Sequence, residues 1–184
     1  MKTRFTTNKL FKFLPLVMLA VLTVSCIRVD DDDFFQDSPY YNNGQVHFDG
    51  LTLPLTYADF YQRNQVQGGE IWVLELSEEF IGYGNTHSDA YLYLEVFRPF
   101  GAPLDGIYEM SHPAKSLDYA SYFEDVVLYN GTPHTYGFQI PNHSFVDGQL
   151  RVYFYAGNVY NFEVRLQTYD GRILTAYFDG RLQS

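Results

Sequence analysis

YNFEVRLQTYDGRILTAYFDGR, residues 160–181, decides the fold. At its start Tyr160, Phe162, Val164 and Leu166 fall on one side, while Asn161, Glu163, Arg165 and Gln167 fall on the other. A period of two is the mark of a β-strand with one face in a core and one in water. Leu174, Ala176 and Phe178 alternate in the same way with Thr175, Tyr177 and Asp179. Parity then selects the turn, because a one-residue slip in register exchanges the two faces of a whole strand. A two-residue turn at Asp170-Gly171 would set Leu166 opposite Thr175 and Glu163 opposite Phe178. A three-residue loop, Tyr169-Asp170-Gly171 with Gly171 left-handed, instead pairs Leu166 with Leu174, Val164 with Ala176 and Phe162 with Phe178. The same reasoning at Ala156-Gly157-Asn158 pairs Phe154 with Tyr160 and Val152 with Phe162, so a three-stranded antiparallel meander is predicted over 149–183.

Working toward the N-terminus, EIWVLELS (70–77) and AYLYLEVFR (90–98) read as a second antiparallel pair joined by the loop 78–89. Shorter strand candidates lie at 45–49, 51–57, 106–110, 124–129 and 135–140, and residues 116–123 read as a helical turn. Closely spaced strands without alternating helices predict one all-β domain over 45–184, an antiparallel β-sandwich or calycin-like β-barrel of about 8–10 strands.

The first residues are of another kind. Lys2, Arg4, Lys9 and Lys12 precede an apolar run from Phe13 to Val24, which has the length of a secretory signal and is too short to span a bilayer. It ends in LTVSC (22–26), with the chain's only cysteine, and Asp30 to Asp33 follow. LTVSC resembles the lipobox of bacterial lipoproteins, with Thr23 where leucine is commonest. The resemblance implies a signal peptide over 1–25, an acylated Cys26 as the mature N-terminus, and a linker over 26–44. A cysteine with two or three acyl chains holds a protein on the lipid bilayer essentially permanently. The acidic run resembles the surface-export signal of Bacteroidota lipoproteins, which implies the outer face of the outer membrane, with a periplasm-facing anchor as the alternative. LDGIYEM (104–110) and the late series GQLRVYF, YNFEVRL and DGRILTAYFDGRL are similar to the C-terminal half of small Bacteroidota lipoproteins with β-sandwich or calycin-like domains.

Residues 1–25 hold four of the 12 Lys and Arg and none of the 22 Asp and Glu, so the remaining 159 residues carry a formal charge of −14. That charge excludes nucleic acid and anionic headgroups as partners. It leaves a glycan, a small apolar ligand or an outer-membrane protein. The aromatic content points the same way, because 17 tyrosines exceed what a core prefers when each buried hydroxyl needs a partner. Strand 90–98 sets Ala90, Leu92, Leu94 and Val96 on one side and Tyr91, Tyr93 and Phe97 on the other, and Tyr153 and Tyr155 back the strand at 149–155. A one-sided sheet would show polar residues there. Either these strands are covered on both faces, or Tyr91, Tyr93, Phe97, Tyr153 and Tyr155 form an aromatic platform for a ligand.

Catalytic and metal signatures are weak. His47, His87, His112, His134 and His143 are scattered without ligand spacing, so no metal is expected. No nucleophile elbow, phosphate loop or dinucleotide fingerprint occurs, so no cofactor and no catalytic residue is assigned. Glu78-Glu79 and Glu124-Asp125 are the candidate carboxylates for a hydrolase. The expectation is a membrane-anchored, non-enzymatic binding or adhesion module. A structural accessory subunit of an outer-membrane complex and a carboxylate-dependent hydrolase are the alternatives. A convergent pair of buried acids in a cleft would favour the hydrolase, an aromatic-lined cavity ligand binding, and a flat exposed aromatic sheet a permanent partner.

Overall fold

The computed structural model describes residues 42–82 and 84–182, so Cys26 and the acidic run lie outside the described residues. Eleven strands follow in order: β1 (Asn43–Phe48), β2 (Leu51–Pro54), β3 (Tyr57–Val66), β4 (Gly69–Ser77), β5 (Asn85–Pro99), β6 (Gly106–Glu109), β7 (Ser116–Tyr129), β8 (Thr132–Ile140), β9 (Phe145–Phe154), β10 (Val159–Thr168) and β11 (Ile173–Arg181). They form one sheet in the order β2-β1-β11-β10-β9-β6-β7-β5-β4-β3, with β8 added beside β7. Every pairing is antiparallel except a single parallel bridge, Glu109 with Ser116. The ladder does not close: β2 and β3 are its ends.

The C-terminal meander has the register that parity requires. Leu166 pairs with Leu174, Val164 with Ala176 and Phe162 with Phe178. Phe154 pairs with Tyr160 and Val152 with Phe162. Gly171 has φ 85°, a left-handed conformation that costs a residue with a Cβ about 1–2 kcal/mol. β1, from the start of the domain, lies against β11 at its end. Asn42 clamps this junction: its Oδ1 accepts from the Arg181 backbone N–H at 2.9 Å, and its Nδ2 donates to the Thr56 carbonyl at 3.0 Å.

The two halves of the sheet face each other across one apolar core. From β3 come Ala58 and Phe60, from β4 Leu74 and Leu76, and from β5 Ala90, Leu92, Leu94 and Val96. Opposite them stand Leu150, Val152, Phe162, Val164, Leu166, Leu174 and Phe178. The Phe60 ring lies 5.3 Å from that of Phe162 and 6.0 Å from that of Tyr160, while Phe48 meets Tyr122 at 6.1 Å. These contacts hold β3 over β10 and β1 over β7 although neither pair shares a ladder.

Several expectations need correction. Residues 116–123 are strand, part of the 14-residue β7, and not a helical turn. The stretch expected as one strand over 51–57 is split: β2 ends at Pro54 and a separate ten-residue β3 begins at Tyr57. β5 starts at Asn85, which shortens the preceding loop to 78–84. The hairpin joining β7 to β8 turns at Asn130-Gly131, both left-handed at φ 48° and 76°, the two-residue turn whose twist matches its strands.

Candidate functional site

Antiparallel register across four strands builds three rungs on the solvent side of β3, β4, β5 and β7. Tyr57, Ser77, Tyr91 and Phe123 stand in line. Asp59, Glu75, Tyr93 and Ser121 form the next rung, and Tyr61, Val73, Glu95 and Tyr119 the third. This face is not washed by water like an ordinary outer surface. Ser77 and Tyr91 are wholly buried, and Ser121, Phe123 and Glu75 are 2%, 5% and 8% exposed. Tyr91, Phe123, Val126 and Leu128 form a second, smaller core under Ile81 and Tyr93.

Two loops raise walls around the rungs. Ser77 Oγ donates to the Glu79 carbonyl at 2.6 Å, and the Thr56 hydroxyl donates to the carbonyl of Glu78. At the other end, the Gly84 N–H donates to Asn130 Oδ1 at 2.8 Å, and the Asn130 N–H donates to the Gly84 carbonyl at 3.0 Å. The loop 78–84 is therefore tied to the β7–β8 turn, and a groove lies between them and the rungs. It comprises one space of about 700 Å³ beside Tyr57, Asp59, Tyr61, Glu75 and Phe80, and another of about 440 Å³ beside Tyr91, Tyr119, Ser121 and Phe123. Arg63, Tyr93, Gly131 and Thr132 border both.

Arg63 reaches this position through a β-bulge. The β3–β4 register shifts between Gln62 and Asn64, leaving Arg63 as the extra residue, and bulges of this kind re-aim a side chain. Its guanidinium pairs with Glu95 and donates to the Tyr93 hydroxyl at 3.1 Å, while the Tyr93 hydroxyl donates to Glu95 Oε1 at 2.6 Å. Glu75 receives hydroxyls in place of a cation: Tyr91 donates to its Oε1 at 3.1 Å and Tyr61 at 3.4 Å. Among the described residues no Lys, Arg or His pairs with Asp59 or Glu75.

The electrostatics follow from burial without a countercharge. Burial pushes the Glu75 carboxyl above the usual carboxylate range, helped by the charge of Asp59 and opposed by the Tyr91 hydroxyl. Burial also raises Asp59. Burial and the two acids lift Tyr57 and Tyr61 to about 12 each, and Tyr91 and Tyr93 are pushed up as well. These phenols stay protonated at neutral pH and act as hydrogen-bond donors, not nucleophiles.

Of the sequence-predicted site residues, the structure brings Tyr91 and Tyr93 together in the groove, Tyr91 as buried floor and Tyr93 as the divider. Phe97 lies farther along β5, packed against Gly69, where a Cβ would come within 2.5 Å of its ring, and borders neither space. Tyr153 and Tyr155, 41% and 53% exposed, sit on and just after β9 in the other half of the sheet. The candidate acids also stand apart from the groove. Glu78 Oε2 accepts from the Asp89 N–H at 3.2 Å, and Asp125 lies 2.8 Å from His87 Nε2. Among the described residues no three His, Cys, Asp or Glu side chains converge to hold a metal ion.

Sequence reasoning missed Tyr57, Asp59, Tyr61, Arg63 and Glu75. The signal for β3 was present in Ala58 and Phe60 alternating with Tyr57, Asp59 and Tyr61. The Asn-Gly turn was also present, and it sets the wall beyond Tyr93. No protein-family model matches the chain, and no curated protein or solved structure is similar to it.

Proposed function

We propose that the protein is a lipid-anchored binding module of the outer membrane, held by an acylated Cys26 and displayed on the cell surface, whose groove on β3, β4, β5 and β7 takes a glycan. The observation that carries this reading is the rung Asp59-Glu75-Tyr93-Ser121 with tyrosines on both sides. Sugars present apolar ring faces and a fringe of hydroxyls, and this lining offers aromatic rings together with carboxylate, guanidinium and hydroxyl partners. A small apolar ligand would leave those polar groups unmatched. A permanent protein partner would call for a flat exposed platform, whereas the central ring here, Tyr91, is wholly buried and the face is recessed.

The test is a glycan-array screen with the Tyr93→Ala and Tyr61→Ala variants. Saturable binding that both folded variants lose supports the reading, and binding indifferent to both overturns it. The anchor is tested separately: Cys26→Ala should leave the membrane fraction, and continued membrane association refutes acylation at that residue.

One observation favours a second reading. Asp59 and Glu75 are directly opposed acids in a groove, and two carboxyl groups flanking one space are the equipment of glycoside hydrolysis. Release of reducing ends from a bound glycan, abolished by Glu75→Gln, would convert the binding module into a hydrolase.

A further inference from the structure

Resting on the groove reading above, we infer that the ligand carries a protonated amino group, seated over Asp59 and Glu75 between the rings of Tyr57 and Tyr61, with a neutral hydroxylated neighbour reaching Ser121. Two independent features of the groove meet in this assignment.

The first is the charge balance of the lining. Three carboxylates, Asp59, Glu75 and Glu95, border the groove against one guanidinium, Arg63, and Arg63 is committed to Glu95. The larger space therefore holds two carboxylates and no free cation among the described residues. Four aromatic residues, Tyr57, Tyr61, Phe80 and Tyr93, line the same space as these acids. Aromatic rings and carboxylates lining one space form an environment that attracts an ammonium and gives a neutral acetamide no comparable gain. An anionic sugar would have to draw Arg63 away from Glu95 while facing Asp59 and Glu75.

The second feature is Ser121. It is 2% exposed and borders the smaller space, and its hydroxyl has no hydrogen-bond partner among the described residues. Its oxygen is not among the sealed, unpartnered side-chain atoms, so it meets the open space, and a ligand hydroxyl there would give it a hydrogen-bond partner. Asp59 and Ser121 stand at the two ends of one rung with Glu75 and Tyr93 between them, three strand spacings or about 14 Å apart, the span of two to three linked sugar units. The chemical class is thus an amino-sugar oligosaccharide with at least one free amine.

The experiment is calorimetric titration of the full chain in detergent at physiological salt with three probes: a glucosamine tetrasaccharide, its N-acetylated counterpart and a galacturonate tetrasaccharide. The glucosamine probe should bind at least about tenfold tighter than either of the others. Asp59→Asn should reduce that preference to under about threefold, and Ser121→Ala should weaken the glucosamine probe about threefold. Glu163→Gln, an exposed acid on the other half of the sheet, should change nothing; a loss there equal to that of Asp59→Asn would show attraction to overall charge and overturn the assignment. Equal or tighter binding of the acetylated or galacturonate probe, lost in Tyr93→Ala, would overturn the amine while leaving the glycan groove standing. No binding of any probe would overturn the amine assignment, with the array screen then deciding the groove.

Discussion

The two solvent sides of this sheet obey the same alternation and end in opposite states. On β9, β10 and β11 the outward positions include Arg151, Glu163, Arg165 and Thr175, and the ion pair that joins Arg151 to Glu163 at 3.2 Å is exposed. On β4 and β5 the outward positions Ser77, Glu75 and Tyr91 are buried beneath a loop and a turn tied to each other. Period two assigns a residue to a face, but what lies over that face decides whether its polar groups meet water or only one another. An acid in water costs little. An acid beneath a loop must take its partners from the protein, as Glu75 does from the Tyr91 and Tyr61 hydroxyls.

The sharpest way to break this contrast is Tyr91→Ala against Tyr153→Ala. Both are outward tyrosines, yet the first should cost about 3–5 kcal/mol in denaturant unfolding, as for other buried aromatics, and the second under about 0.5 kcal/mol. Equal costs would show that the face of β5 is not a second core. Next comes pH. Glu75 and Asp59 have folded pKa values above their ordinary ones of 4.5 and 3.8, so the folded state holds their protons more tightly. Their effect on stability is therefore unfavourable at neutral pH, and it is relieved as pH falls through the raised values toward the ordinary ones. His87, raised by its bond to Asp125, contributes in the same sense, since its stabilisation is lost as pH rises through its folded pKa. Glu70 is held low by the Trp72 indole and Arg98, and Asp170 by Thr168 and Arg172, so their stabilisation is lost below the ordinary range. Thermal melting should accordingly rise as pH falls from neutrality toward the ordinary carboxylate range, and Glu75→Gln should raise Tm at pH 7 and flatten that rise. A melting temperature that falls steadily from pH 7 to 5 would contradict the burial of Glu75 as a carboxylate. The smallest effect belongs to the open face: Glu163→Gln should change stability by under about 0.5 kcal/mol, as expected for an exposed pair.

Much of the architecture is legible where alternation is unbroken. Between Tyr160 and Phe178 each core residue faces a core residue, and loop parity alone sets the register. Legibility fails where a bulge breaks the period. Tyr119 pairs with Glu95 and Leu117 with Val96, so Asp118 is an extra residue in β7. The inward residues Leu117 and Ala120 then stand three apart, a spacing that imitates one face of a helix. The same device at Arg63 hid the end of β3, and with β3 unrecognised nothing in the sequence could set Asp59 beside Glu75, sixteen residues away. Tyr93 was readable as an outward tyrosine on β5, but its place in a groove depends on strand neighbours that only register supplies.

The clamp at Asn42 has a mechanical consequence. A pull on the N-terminal segment reaches the domain at Asn43, on a strand flanked on one side by β11 and on the other by β2. Tension along β1 would load both ladders in shear, and the bonds from Asn42 to Arg181 and Thr56 bear it first. The groove lies on the other part of the same sheet, five to eight strands from β1 along the ladder. Force applied at this end of the domain thus passes into the ladder through both neighbours at once, with the first strand serving as a seam stitched on both edges.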